Sequence, residues 1–178
     1  MFGLLRTKNL EYINFIKNEN IQYANVTERL PFADNSCDVV YSSHMLEHIN
    51  PADVPSFLQE THRVLKPNGI VRIAVPDLMR KTKDYLASGD ADEFMRDTLL
   101  GEFWSQATSF RGRVRFALVG DPSAHKWMYD GMSLAKLLEQ HNFTSCKVMP
   151  DGETQIDAPG ELDLYERSPE SVFVEGRK

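Results

Sequence analysis

Three blocks of sequence decide the fold, namely LPFADNSCDVV at residues 30–40, HMLEH at residues 44–48 and ETHRVLKPNG at residues 60–69. The first block leads through a cluster of turn-forming residues into a run of apolar residues, which is typical of a strand covered on both faces. Apolar residues then recur at helical spacing from Val54 to Leu65, and positions 70–75 are a further run of strand-forming residues. Strand, helix and strand in this order predict a βαβ unit with a right-handed crossover.

The rest of the chain continues the pattern of alternating elements. Asn50 and Pro51 predict the start of the helix in the βαβ unit, because asparagine caps helices and proline fits their first position. Further helices are predicted at 77–86, at 91–107 and, after a cap at Asp130, at 132–141. Strands are predicted at 21–26, 143–149 and 171–175. The last two should form an antiparallel pair at one edge of the sheet, since only the polar run 151–161 separates them.

Length and composition limit the class of protein. A chain of 178 residues, 42% apolar and 26% charged, predicts a single domain over residues 1–178. No apolar run reaches the roughly 18 residues of a membrane span, and the N-terminus lacks a signal peptide, so we expect a cytoplasmic protein. The net charge of -6 argues against a nucleic-acid partner. Cys37 and Cys146 have no nearby partner at metal spacing and predict neither zinc nor disulfide.

The three blocks, in this order and with these gaps, resemble the class I S-adenosylmethionine (SAM) dependent methyltransferases of the ubiquinone-biosynthesis type. The segment HKWMYD at 125–130 and the residues Asn142 and Phe143 resemble a subgroup found with cell-surface glycan genes. The resemblance implies an α/β fold with a Rossmann-like, mostly parallel sheet, helices on both faces and an antiparallel C-terminal edge strand. It also implies methyl transfer from SAM to an oxygen or nitrogen of a small-molecule or glycan-linked substrate.

The same resemblance implies roles for individual residues. Asn25 and Val26 fall where the family contacts the adenine of SAM, and an amide oxygen can accept a bond from its amino group. Ser42, Ser43 and His44 follow the strand that ends under the methionine part of SAM. The remaining assignments are His44 or His125 as the catalytic base, and His48, Trp127 and Tyr129 as substrate-binding residues.

The N-terminal part departs from the family. Gly3 is the only glycine before Gly69, so the glycine-rich cofactor turn has no counterpart. Residues 12–16 resemble the family's second strand without its acidic residue. The first strand-helix unit is therefore missing or rebuilt, which predicts an exposed sheet edge, filled by residues 2–6 or by a homodimer. Two alternatives follow: a degenerate methyltransferase fold that binds a partner or has a structural role without SAM, or an incomplete reading of a longer gene.

Two clusters allow more than one interpretation. His44 and His48 are four residues apart, with Glu47 between them, which on a helix could form a metal site. No third ligand is evident from the sequence, so we expect no metal and a capping or pocket-lining role. The alternating residues His125, Trp127 and Tyr129 predict either a substrate-binding face or the packing of a loop under the helices. Arg111, Arg113 and Arg115 on a strand predict a solvated edge or an anion-binding face.

Overall fold

The computed structural model describes residues 17–19, 21–100 and 124–178, in which four strands, four α-helices and one short 3-10 helix occur. The predictions made for residues 2–6, 12–16 and 111–115 lie outside these ranges. In chain order the elements are β1 (Cys37–Ser43), the 3-10 helix (Leu46–His48), α1 (Val54–Val64), β2 (Leu65–Pro76), α2 (Leu78–Ser88), α3 (Ala91–Thr98), α4 (Gly131–Gln140), β3 (Thr144–Met149) and β4 (Ser171–Arg177).

The four strands form one sheet in the order β1-β2-β4-β3. β1 pairs with β2 in parallel, while β4 runs antiparallel to both β2 and β3. Three strands therefore point in one direction and β4 in the other, which confirms the predicted βαβ unit and the predicted antiparallel pair. Within that pair β4 is the inner strand, so β3 forms the edge of the sheet.

One face of the sheet carries the hydrophobic core. Alternate residues of β2 and β4 point to this face, as the twofold period of a strand requires. Helices α1 and α4 cover them with buried apolar side chains, and a fully buried side chain of this size contributes about 1.5–3 kcal/mol. The residues in contact are Phe57, Leu58, Val71, Ile73, Val75, Leu134, Leu138, Val172 and Val174.

The opposite face has a different cover. Among the described helices, α1 and α4 share the core face, and α2 and α3 pack against each other through Tyr85 and Phe94, with ring centroids 5.3 Å apart. The opposite face is covered by the polar segment between β3 and β4. Arg72 on this face donates to the backbone oxygen of Glu153 at 3.0 Å and to that of Leu164 at 3.4 Å. The segment is thus tied to the sheet through its backbone.

Four predicted boundaries agree with the structure or nearly so. Asp77 caps α2 by accepting a bond from the Met79 amide, and Asp130 caps α4 in a capping box with Ser133. The strands β3 and β4 lie within one or two residues of the predicted ranges 143–149 and 171–175. Gly69 lies within β2 at a close approach of the backbone, because a Cβ there would lie 2.9 Å from the Lys66 carbonyl oxygen.

Three predicted boundaries were wrong. Residues 21–26 form no strand, because Asn25 starts a turn instead, in which its side-chain oxygen accepts a bond from the Thr27 amide at 3.2 Å. Helix α1 begins at Val54 rather than at residue 51, since the Asn50 side chain holds a preceding turn. Helix α3 ends at Thr98 rather than at residue 107, because the next residue, Leu99, adopts φ 50°.

Strand β1 is the second edge strand of the described sheet, opposite β3, and it pairs with β2. This is the edge at which the sequence predicts an exposed strand. None of the helices in the described ranges is long and apolar enough to cross a membrane.

Candidate functional site

A cavity of about 350 Å³ lies at the end of the sheet where β1 and β2 finish and β4 begins. Ligands collect at the carboxyl ends of strands in open α/β sheets, so this is the expected place for a site. Its lining is rich in titratable side chains: His44, Glu47, His48, Lys81, Asp97, His125, Arg167 and Glu170, with Pro76 and Leu99 as the apolar members. A second cavity of about 440 Å³ lies between α2 and α3, and the ion pair of Lys81 and Asp97 lines both.

Backbone hydrogen bonds bring the distant residue His125 to this cavity. The carbonyl oxygen of Glu47 accepts bonds from the Lys126 amide at 2.6 Å and the Trp127 amide at 3.2 Å. The His125 amide donates to the Leu99 carbonyl oxygen at 3.0 Å. Segment 124–129 is therefore held between the 3-10 helix and the end of α3, and its position does not depend on side-chain packing alone.

Three histidines converge at the cavity, and each is oriented by one ring nitrogen. The Nδ1 atom of His125 lies 2.7 Å from the Thr98 carbonyl oxygen, and that of His48 lies 3.1 Å from the Ala124 carbonyl oxygen. A carbonyl only accepts, so both Nδ1 atoms carry the proton and, in the neutral rings, both Nε2 atoms present a lone pair. The Nε2 atom of His44 lies 2.9 Å from the Ser171 hydroxyl.

Glu47 lies between these rings. Its side chain is 1% exposed, and neither carboxylate oxygen has a hydrogen-bond partner in the described structure. The Oε1 atom is 3.4 Å from His44 Nδ1 and 3.9 Å from His48 Nε2. Glu47, His48 and His125 each offer one ligand atom, and these atoms lie within 4.8 Å of one another. The arrangement can accept protons or bind a cation.

Burial changes the titration of two groups beside the site. Desolvation lowers the pKa of His125, although its bond to the Thr98 carbonyl oxygen works in the other direction. Desolvation also raises the pKa of Tyr129 to about 12, and the negative charge of Glu47 adds to the effect. Both shifts come from the exclusion of water around the segment 124–129.

The structure brings together three of the predicted site residues. His44, His48 and His125 line one cavity, with the His48 and His125 ring centroids 4.9 Å apart. Trp127 is 53% exposed, while Tyr129 is buried in the core, and neither lines that cavity. Their alternation along the chain therefore does not give one shared face at the cavity.

The residues predicted to contact the cofactor occupy two places. Ser42 is buried at the end of β1 with a hydroxyl that has no hydrogen-bond partner in the described structure, and Ser43 beside it is half-buried. Asn25 is exposed at the start of its turn, and Val26 packs against the core. The cofactor roles of these residues stay predictions.

Sequence reasoning did not assign a role to Glu47, Lys81, Asp97, Arg167 or Glu170. Only Glu47 gave a signal, because it lies between two histidines in the HMLEH block. The other four are polar residues at helix surfaces or in loops, and nothing in their spacing marks them. Lys81 and Asp97 reach the cavity from α2 and α3, and Arg167 and Glu170 reach it from the segment between β3 and β4.

Comparisons with known proteins relate the sequence to methyltransferases. Residues 7–73 match the family model of the methyltransferase domain. Over 119 residues, which are 67% of this chain and 44% of the relative, the chain is 29% identical to an uncharacterized methyltransferase from Synechocystis. A malonyl-[acyl-carrier protein] O-methyltransferase from Coxiella burnetii is 37% identical over 62 residues, 34% of this chain and 21% of that relative. The chain thus spans less than half the length of the curated relatives it matches.

Solved structures show the same fold at low sequence identity. An O-methyltransferase family protein from Burkholderia thailandensis superposes with a TM-score of 0.53 and 10% identity, covering 98% of this chain and 42% of that one. The 1,6-didemethyltoxoflavin-N1-methyltransferase of the same organism gives a TM-score of 0.51 and 14% identity, covering 94% and 56%. The chain therefore has the fold of the class I SAM-dependent methyltransferases, and its residues 7–73 match their methyltransferase domain.

Proposed function

We propose that this chain acts as a single cytoplasmic domain that transfers the methyl group of SAM to an oxygen or nitrogen of a small-molecule or glycan-linked substrate. The observation that carries the proposal is the cavity at the carboxyl ends of β1 and β2, with His44 and His125 in its wall. In support, the structure of the 1,6-didemethyltoxoflavin-N1-methyltransferase from Burkholderia thailandensis holds both 1,6-didemethyltoxoflavin and S-adenosylhomocysteine.

Two places on the chain would hold SAM, and they fit it unequally. At the end of β1, the buried Ser42 hydroxyl has no partner in the described structure and is free to bond the methionine part, next to Ser43 and His44. At Asn25, the side-chain oxygen already accepts bonds from the Thr27 amide and hydroxyl. Because an amide oxygen has two lone pairs, adenine can be bound there only after the hydroxyl turns away.

The chain's own residues contribute position and proton transfer. When bound, SAM would supply an electrophilic methyl group for in-line transfer to the acceptor atom, with S-adenosylhomocysteine as the leaving product. The acceptor's proton moves to a ring nitrogen, for which Nε2 of His125 is suited because Nδ1 carries the proton given to Thr98. The other candidate base is His44. Alignment of the two substrates provides most of the acceleration in such a displacement.

A second candidate function is that the fold binds a partner or has a structural role without SAM. Within the described residues β1 pairs with β2 alone, so its other edge offers such a partner, or a second copy of the chain in a homodimer, a row of backbone groups.

Calorimetric titration of the protein with SAM and with S-adenosylhomocysteine distinguishes these two functions. The methyltransferase proposal expects saturable binding with both, and the absence of heat near about 1 mM ligand would contradict it. Radiolabelled SAM incubated with sugar, amine and phenol acceptors then identifies the acceptor class.

A matched pair of variants locates the cofactor. Ser42→Ala and Thr61→Val each remove a buried hydroxyl without a partner in the described structure, so neither should lower stability. Only Ser42 lies at the end of β1, so only Ser42→Ala should weaken SAM binding. Equal affinities in the two variants would exclude the assigned position.

A further inference from the structure

We propose that Glu47, His48 and His125 bind a divalent first-row transition metal ion, with Zn²⁺, Co²⁺ and Mn²⁺ as the fitting ions. Sequence reasoning expected no metal because it found no third ligand beside the HMLEH block. His125 lies 77 residues after His48 in the chain, and the structure places its ring next to that of His48. The three ligand atoms lie within 4.8 Å of one another.

The first argument is the state of Glu47. Its carboxylate is 1% exposed, and neither oxygen has a hydrogen-bond partner within the described ranges. Burying a carboxylate without a hydrogen-bond donor is costly, and the nearest ring nitrogens, at 3.4 and 3.9 Å, are at ion-pair distance but form no hydrogen bond with it. A cation between the carboxylate and the rings would remove this cost.

The second argument is the orientation of the two rings. His48 and His125 both give their Nδ1 proton to a backbone carbonyl oxygen, that of Ala124 and that of Thr98. Histidines that bind metals are held in this way, with one nitrogen fixed by a hydrogen bond and the other left as the ligand. In both rings the remaining nitrogen is Nε2. Thus two oriented histidine rings and a carboxylate without hydrogen bonds form one cluster, whose ligand atoms lie within 4.8 Å of one another.

The distances are close to those of a loaded site. Two ligands bonded at about 2.1 Å with a tetrahedral angle lie about 3.4 Å apart. The His48 Nε2 and Glu47 Oε1 atoms are 3.9 Å apart, and the three ligand atoms lie within 4.8 Å of one another, so a loaded site requires them to draw together by about 0.5–1.4 Å. His44 Nδ1, already 3.4 Å from Oε1, is placed to support the carboxylate or to serve as a fourth ligand.

The ligand types select the class of ion. Two imidazoles with one carboxylate suit zinc and related transition ions, whereas Mg²⁺ and Ca²⁺ prefer oxygen ligands. Three protein ligands also leave coordination positions open. All three ligand residues line the 350 Å³ cavity, so an acceptor group or water can reach those positions.

Metal binding changes the role of His125. Its Nε2 atom has one lone pair and cannot be both ligand and catalytic base. If the chain transfers methyl groups as proposed above, the ion would lower the pKa of a bound acceptor hydroxyl and replace the histidine base. The binding of the ion itself does not depend on that proposed function.

The test uses the full chain after chelator treatment and without SAM, so its result is independent of methyl transfer. Titration with Zn²⁺, Co²⁺, Mn²⁺ and Mg²⁺ by calorimetry should give one site for the transition ions and a much weaker response to Mg²⁺. His125→Ala, His48→Ala and Glu47→Gln should each lose about 100-fold or more in affinity. His141→Ala removes a histidine outside the cluster and should bind like the unchanged protein.

A second measurement on the unchanged protein keeps the proposal testable if a variant does not fold. Nitrogen NMR of the histidine rings should show large shifts of Nε2 in His48 and His125 when Zn²⁺ is added, and none in His141. Retained affinity in both His125→Ala and Glu47→Gln would overturn the proposal. The absence of transition-ion binding near about 1 mM would also overturn it, because a specific site is expected to have a dissociation constant below that concentration.

Discussion

Arg72 and Glu175 face each other on neighbouring antiparallel strands, fully buried, with Arg72 Nη1 2.7 Å from Glu175 Oε1. The guanidinium also lies 4.6 Å from the centre of the Phe173 ring. Glu175 in turn accepts bonds from the Thr154 hydroxyl and the Gln155 amide, both at 2.6 Å. This ion pair therefore attaches the segment between β3 and β4 to the face of the sheet that the described helices leave open.

Removal of the charge of Glu175 should destabilise the protein strongly. Glu175→Gln leaves Arg72 buried without a counter-ion, which costs about 3–5 kcal/mol in the free energy of unfolding. The control is Asp38→Asn, which breaks the exposed pair of Lys66 and Asp38 at 2.8 Å and should cost about 0–1 kcal/mol. Urea denaturation measures both, and similar losses in the two variants would contradict the prediction.

The N-terminal caps of two helices should differ in strength. Asp130 accepts a bond from the Ser133 amide at 2.8 Å, so Asp130→Ala should lower the free energy of unfolding by about 1 kcal/mol. Asp53 occupies the same position of α1 without a side-chain bond, and Asp53→Ala should be nearly neutral. Thermal unfolding of both variants checks this, and an equal effect would rule out the capping box as the cause.

Acid should weaken the protein through Glu60. The side-chain hydrogen bond from Arg63 lowers the pKa of Glu60 from 4.5 to about 2. Since the folded pKa is the lower one, the contribution of this pair is complete above pH 4.5 and is lost as pH falls towards 2.

Glu60→Gln and Arg63→Met should both flatten that part of the pH profile. Each variant removes one partner of the bond, so stability between about pH 5 and pH 2 should fall less steeply than in the unchanged protein. Chemical denaturation at several pH values gives the slope. An acid loss of unchanged steepness in Glu60→Gln would show that other carboxyl groups control it.

Cys146 should react slowly in the folded protein. Burial, with a smaller effect from the charge of Glu139, raises the pKa of its thiol to about 11, so little thiolate is present at neutral pH. A Cys37→Ser variant leaves Cys146 as the single thiol. Its rate with a disulfide reagent should rise sharply in urea, and equal rates in buffer and urea would refute the prediction.

Local patterns predicted the parts of the fold that depend on neighbouring residues. The apolar run around Val39 and the strand-forming run from Ile70 predicted β1 and β2, helical apolar spacing from Asp77 predicted α2, and the cap Asp130 predicted the start of α4. In each case the residues that form the element are adjacent in sequence. Strand 21–26 failed because a strand also needs a neighbour, and the turn at Asn25 satisfies its polar groups locally.

The candidate site was only partly predictable for a related reason. His44 and His48 stood out in one short block. Glu47 matters because its carboxylate is buried, and the spacing of residues in the sequence does not reveal burial. His125 reaches the cluster through backbone bonds at Leu99 and Thr98, where α3 ends earlier than its apolar pattern suggested. The ligand set therefore depends on a helix end that propensity alone did not locate.

The position of β4 between β2 and β3 also affects the order in which the sheet can form during synthesis on the ribosome. Within the described residues β3 pairs only with β4, so on the ribosome β3 emerges before its partner exists. Domains tend to fold as units during synthesis, and unpaired strand edges invite aggregation in the interval. The βαβ unit can form early in synthesis. Residues 171–177 must leave the exit tunnel before the chain can complete the sheet, the Arg72–Glu175 pair and the floor of the cavity at Glu170.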